Sequence, residues 1–318
     1  MKSQQPSQGR VSFYDIAKGI GIILVYIGHV TPYHEVRQFI YSFHMPLFFV
    51  ISGMLLHEDK YSLNVFFISR AKSLLWPAFY FSVFAYLCSL FTENISMPGL
   101  LVDLPSALWF LPVLFCAEVV VFSLWNIIRS KLYRAMLCVV LSCIGMYLDS
   151  MGIDWPWSLN AVPIAAMFLG LGNIVKDYYP RIKSYNYHMI ISVIGFALIL
   201  LFVLLSKETT SIHENHFALN YWFGIFLAVV GIAATLSLSY IFDRIEACKV
   251  KRLLTMFGRY SLDIYGLHFT LLSVIGNFRY IIPFQVLRYV VWNAMVITIM
   301  VILIRCKHKI IRHNCLIK

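Results

Sequence analysis

Ten stretches of nearly continuous apolar residues follow one another along the 318-residue chain, at about 13–31, 37–56, 73–91, 107–128, 132–148, 157–175, 187–205, 219–241, 260–280 and 284–304. Each is roughly 17–23 residues long, and a helix of that length rises about 30 Å, the thickness of a bilayer's hydrocarbon core. Apolar and polar positions do not alternate within them, as the strands of a membrane barrel would require. The pattern predicts an all-α fold: a polytopic membrane helical bundle of about ten transmembrane helices. The stretch at 260–280 is the least apolar.

Composition agrees with that reading. Only 13% of residues are charged and 60% are hydrophobic, whereas a soluble domain carries about 25% charged and 45–50% apolar residues. Too few charges remain to cover a water-facing surface, so a soluble enzyme is excluded. Disorder is excluded by the same apolar content.

The formal charge of +11 changes the picture only through its distribution. Lys and Arg crowd the two tails and alternate loops, while the opposite loops hold only Arg37, Lys207, Arg279 and Arg288. The positive-inside rule then puts both termini in the cytoplasm. Because the bases sit in short loops, they imply contact with membrane lipids and no nucleic-acid partner. No segment outside the stretches is long enough to fold alone. One domain, 1–318, is expected: a tail at 1–12, the bundle at 13–304 and a basic tail at 305–318. The seven cysteines show no CxxC spacing and none falls in an external loop, so neither a disulfide framework nor a metal site is expected.

Ionisable residues at membrane depth each cost roughly 2.5–3.5 kcal/mol on insertion scales, which makes them candidates for function. In the first stretch, Asp15, Lys18, Ile22, Val25 and His29 recur at steps of three and four and share one helical stripe. Asp15 and Lys18 can pair at the cytoplasmic end. His29 lies about 16 Å beyond Lys18, and an imidazole that titrates near neutral pH suits proton abstraction. The second stretch carries His44 at a comparable depth, two residues before Pro46, which is expected to bend the helix and free a carbonyl.

Further along, Arg70 and Lys72 precede the third stretch, either as membrane anchors or as partners for phosphate. Glu118 lies too deep to be a surface acid and needs a partner, and Trp109 opens the same stretch. Ser261, Tyr265 and His268 share a face of the ninth. No Walker A motif, nucleophile elbow or metal-ligand spacing is present.

These residues resemble a known family. Asp15-x-x-Lys18-Gly19, Gly28-His29, Phe43-His44-Met45-Pro46-Leu47-Phe48-Phe49 and Ser52-Gly53 look like the opening of the integral-membrane acyltransferase-3 family. Arg70-x-Lys72 before Leu74-Leu75-Trp76-Pro77 continues the likeness. So do Leu108-Trp109-Phe110-Leu111 and Gly258-Arg259-Tyr260-Ser261-x-x-Ile264-Tyr265-x-x-His268. The short chain is similar to the subgroup that O-acetylates bacterial surface polysaccharides, fucose among their sugars.

The resemblance implies a multi-pass protein of the bacterial inner membrane that moves an acyl group, usually acetyl from cytoplasmic acetyl-CoA, to a sugar hydroxyl. The acceptor would be a glycan or lipid-linked glycan. It places His29 as general base or transient acyl carrier, with Asp15 and His44 beside it in the catalytic set. Arg70, Lys72 and Lys18 become candidates for holding CoA, and no metal is implied. Glu118, Trp109, Ser261, Tyr265 and His268 are left as substrate-facing or structural polar residues, Tyr265 and His268 being candidate oxyanion donors. Where the family carries arginine eleven residues before its histidine, this chain has Lys18. Its Arg-x-x-Arg is Arg70-x-Lys72-Ser73 here. A transporter or flippase for a lipid-linked glycan is the alternative of a different class, and a non-enzymatic subunit of an envelope complex is a third.

Overall fold

The structure is a computed structural model that describes residues 12–90, 108–152, 155–177, 184–206, 210, 212, 217, 220–245, 248–276 and 285–316, with side chains for all but 285–289 and 308–316. The tails at 1–11 and 317–318 lie outside the described residues, as do the stretch ends at 91, 107, 219, 277–280 and 284.

Among the described residues every regular element is helical. The helices are α1 (Ser12–Val30), α2 (His34–Tyr41), α3 (His44–Met54), α4 (Leu63–Arg70), α5 (Trp76–Ser89), α6 (Phe110–Ile127) and α7 (Lys131–Ser150). They continue with α8 (Val162–Val175), α9 (Tyr185–Leu205), α10 (Tyr221–Arg244), α11 (Lys249–Arg259), α12 (Ser261–Gly276) and α13 (Gln285–Leu316). Seven helical segments are long and apolar enough to cross a membrane, and α12 is a shorter apolar helix. The fold is a polytopic helical bundle. We call the end where α1 begins the near end and the end where it finishes the far end.

Three local features differ from the expected pattern. The stretch at 37–56 is two helices, because the backbone breaks at Ser42–Phe43, where Phe43 takes φ −145° and ψ −15°. His44 opens α3, so Pro46 sits in the first turn, where its missing N–H would have had no helical partner. The proline starts a helix instead of bending one. Next, α4 and α5 join without a gap through a π-helical turn at Ala71–Leu75, so the helix of the third stretch begins ten residues early, at Leu63. Finally, α11 is a helix where a loop was expected; its basic residues depress its mean hydropathy.

Helix α11 packs along the first half of α1, the most extensive helix contact among the described residues. Glycines make it close. A Cβ on Gly258 would lie 1.7 Å from the carbonyl oxygen of Asp15, and one on Gly19 would lie 2.0 Å from that of Leu254. Both obstacles are backbone, so neither can swing aside, as in other small-residue helix crossings. Gly258→Ala is expected to cost about 1–3 kcal/mol and to lower the thermal midpoint of the detergent-solubilised protein. A midpoint equal to wild type would show that the two helices separate freely.

The core lies where α1, α3, α6, α8, α10 and α12 meet. At the near end, α3, α6, α7 and α8 converge on a buried polar knot. Arg134 donates through Nη1 to Glu58 Oε1 at 2.7 Å, through Nη2 to the Trp125 carbonyl at 3.0 Å and through Nε to the Ile128 carbonyl at 2.8 Å. Trp125 Nε1 donates to Asn173 Oδ1 at 2.9 Å, and Asn173 Nδ2 donates to the Leu56 carbonyl at 3.1 Å. Lys176 donates to the same carbonyl at 2.8 Å and stands 3.4 Å from Glu58 Oε2. The knot ties four helix ends to one carboxylate.

Candidate functional site

At the far end, histidines from three helices gather around the end of α1. His29, one residue before α1 finishes, is exposed. Its ring centre lies 5.0 Å from that of His268 on α12, 5.6 Å from Phe269 and 6.4 Å from Tyr41 on α2. Tyr41 in turn stacks against His44, with ring centres 5.0 Å apart. His44 and His268 are both buried. Each is held by a backbone carbonyl: His44 Nδ1 lies 2.8 Å from that of Ile40, across the break on α2, and His268 Nδ1 lies 2.8 Å from that of Tyr265 on its own helix. A carbonyl only accepts, so both Nδ1 atoms carry the proton and both rings present Nε2 as an acceptor. The sequence pattern puts His29 and His44 at a shared depth where they can line one pocket, and leaves His268 apart from them. The α2–α3 break folds Tyr41 between two of them, and that residue was missed because a continuous second helix hides it.

A narrow cavity of about 180 Å³ runs beneath this cluster, lined by Lys18 and Ile22 of α1, Met45 and Ser52 of α3, and Ser261 and Tyr265 of α12, among others. Met45 is the neighbour of His44, and Tyr265 is one turn from His268. The cavity therefore extends from Lys18 and Ser261 to Met45 and Tyr265, within one turn of His44 and His268, but on α1 it stops at Ile22, two turns short of His29. On α1, His29 is about 10 Å beyond Ile22. Tyr265 is held in the wall: its hydroxyl accepts from the Phe110 N–H at 3.2 Å, which leaves its proton available to another acceptor. A larger cavity of about 600 Å³ flanks α1 on the other side, lined by Ile23, Tyr26, Met300 and Arg305 among mostly apolar residues. None of the candidate residues lines it.

The remaining candidates fall near the cavity mouth or away from it. Glu118 finds its partner in Arg70, at 3.2 Å, and Arg70 also covers the Phe66 ring at 5.2 Å. Leu74 and Leu114, one turn from Arg70 and Glu118 respectively, line the cavity, so the ion pair extends its wall towards the near end. Lys72 turns to a different face. It is exposed and borders a shallow depression with Ala71, Leu75 and Trp76. Trp109 is half-buried beside Phe110 and does not line the cavity.

Asp15 is buried between Lys18 at 3.4 Å and Arg259 at 3.7 Å. It lies fourteen positions before His29 on the same helix, about 21 Å along the axis, and it anchors the α1–α11 crossing. One further buried acid, Asp263, is bound by Lys307, which also donates to the Tyr80 hydroxyl at 2.7 Å. This link among α5, α12 and α13 joins residues far apart in sequence, and no local spacing announces it. Among the described residues no group of His, Cys, Asp and Glu is arranged to hold a metal.

A family model described as an acyltransferase domain, that of the acyltransferase-3 family, matches residues 11–305. The chain belongs to the acyltransferase-3 family. Neither the curated proteins nor the solved structures searched gave a match. Membership makes this membrane protein an acyltransferase. For an acyltransferase the far-end cluster supplies an exposed imidazole backed by buried ones, above a slender cavity that extends towards the opposite end.

Proposed function

We propose that this acyltransferase moves acetyl from cytoplasmic acetyl-CoA to a sugar hydroxyl of a bacterial surface polysaccharide or its lipid-linked precursor. The near end faces the cytoplasm, as the loop charges favour, and the protein resides in the inner membrane. The observation that carries the reading is the alignment of the cavity with the histidine cluster. A multiply charged nucleotide stays at the basic near end by Lys18 and Arg70. Only its thin pantetheine arm enters between α1, α3 and α12. The acceptor hydroxyl meets the acyl group beside His29, the end of the cluster open to solvent.

His29 takes the hydroxyl proton as the oxygen attacks the thioester carbonyl, because a hydroxyl is too weak a nucleophile unaided. The new C–O bond forms, the C–S bond breaks, and the proton passes to the departing thiolate. The Tyr265 hydroxyl, free to donate, is the candidate for the developing oxyanion.

The test uses membrane vesicles of both orientations, labelled acetyl-CoA and a crude lipid-linked glycan, with label followed into alkali-labile ester. Label is expected only with the protein present and only when donor reaches the near-end face. Leu114→Trp, which narrows the cavity, is expected to raise the donor KM about tenfold or more while acceptor KM holds. Label from succinyl-CoA alone would change the acyl group; label from neither donor would sink the reading.

A further inference from the structure

One atom of the far-end cluster is left over. His268 is fully buried, and its Nδ1 proton is committed to the Tyr265 carbonyl, with the Ile264 carbonyl at 3.2 Å. A neutral imidazole has one N–H, so Nε2 is a bare lone pair. That Nε2 is buried and makes no hydrogen bond among the described residues. Folded proteins rarely leave such an atom unpaired, so its place in the cluster calls for a physical reason.

What lies against the ring is informative. From α1 it meets His29, ring centres 5.0 Å apart and planes at 47°; from its own helix it meets Tyr265, at 6.1 Å. Carbon rings would occupy this place at no polar cost. With ring centres 5.0 Å apart, two imidazole nitrogens turned towards each other stand within reach of a normal hydrogen bond of about 2.9 Å. Catalytic hydrogen bonds commonly tighten this way when substrate binds. His29 is exposed, with no hydrogen bond to its ring among the described residues, whereas His268 is buried and held by two carbonyls. The other titratable groups around His29 are Tyr41 of α2, His44 of α3 behind it, and Arg37 one turn earlier on α2.

We propose that His268 is the positioning residue for His29: its Nε2 accepts the His29 N–H, which fixes the tautomer and directs the other His29 nitrogen, as a lone pair, at the acceptor hydroxyl. The proposal rests on His29 as the general base. During transfer the acceptor oxygen bonds the acyl carbon, the bond from that carbon to the donor breaks, and the hydroxyl proton moves to His29 and then to the departing group. His268 gains and loses no proton. It steadies the imidazolium through the hydrogen bond, the part a buried carboxylate plays in a Ser-His-Asp triad.

Three substitutions in the full-length protein in nanodiscs test this. His268→Leu fills the space without an acceptor, His268→Asn keeps only the donor towards Tyr265, and His268→Gln puts an amide oxygen near the Nε2 position. The Leu and Asn variants are expected to lose kcat about 10- to 100-fold, the range for removing such an outer partner, with both KM values within about twofold. The thermal midpoint of His268→Leu should equal or exceed wild type, since an unpaired buried acceptor is gone. The pH profile of kcat should move in both, and His268→Gln should recover at least about tenfold of the loss.

Loss of activity in step with loss of thermal midpoint, in Leu and Asn alike, would overturn the proposal; so would full activity in both. A second readout does not need turnover. In protein carrying ring-15N histidine, one acceptor nitrogen signal should shift on His29→Ala. An unchanged spectrum would overturn the pairing even if wild type accepted no acetyl label, an outcome that would count only against the donor and acceptor assigned above.

Discussion

Membranes carrying His29→Ala are expected to retain the protein and lose acyl transfer by about 10²–10⁴-fold, the contribution of a well-placed general base. Retention follows from the position. His29 is exposed at the end of α1 and its contacts are ring edges and faces, so truncation opens no sealed cavity. The loss should fall on kcat, because an interaction made only as the hydroxyl gives up its proton does not bind either substrate in the ground state. His29→Gln, which keeps hydrogen bonding but cannot take a proton, should fall as far. Rates normalised to folded protein decide the matter. A drop of less than about tenfold in both variants would remove His29 from proton transfer.

The second large effect is on stability. Arg134→Met is expected to destabilise the protein by about 3–5 kcal/mol, since it leaves the Glu58 carboxylate buried without its main partner. Charge removal on both sides, Glu58→Gln with Arg134→Met, should recover part of that, which a double-mutant cycle measures. The same knot sets a pH dependence. Burial pushes the Glu58 carboxyl upward, but a backbone N–H, the Arg134 hydrogen bond and the charges of Lys176 and Arg134 together hold it down, from 4.5 to about 2. A depressed carboxylate contributes stability that is fully present above about pH 4.5 and is lost as pH falls towards 2. Thermal midpoints should therefore drop across that window in wild type and flatten there in Glu58→Gln. Parallel curves for the two proteins would show that other groups govern acid unfolding.

How far the sequence reveals this molecule depends on the kind of signal. Bulk hydrophobicity marks α1, α6 to α10 and α13, because each is a long segment of one character. The motif resemblance isolates His29, His44 and His268, and the structure brings them into one cluster. What escaped was short or non-local. Helix α11 is hidden because Lys249, Lys251, Arg252 and Arg259 outweigh its apolar face in any average over a window, although that face covers half of α1. The break at Ser42–Phe43 is hidden because Phe, Tyr and Ile on either side read as one apolar run. Arg134 looks like an ordinary loop anchor, and only its three-dimensional neighbours Glu58, Trp125 and Ile128 show otherwise. Glu118 announces that it needs a partner without naming one; Arg70 lies forty-eight positions earlier, where its sequence context reads equally as a membrane anchor or a partner for phosphate.

The π-helical turn at Ala71–Leu75 has a consequence for how this region tolerates change. A turn of that kind holds one more residue than an α-helical turn, so the positions before and after it follow two helical wheels, offset by about 100°. Phe66 and Arg70 face α6 on the first wheel, while Ala78, Phe81 and Ala85 are buried on the second. Substitutions scanned across 63–89 should thus fall into two periodic blocks out of phase, with the seam at 71–75. Deleting a single residue at the seam would let the turn close as a plain α-helical one with both blocks still facing their present neighbours, whereas the same deletion a turn or more to either side would rotate the positions between it and the seam by about 100° and carry their buried side chains away from those neighbours.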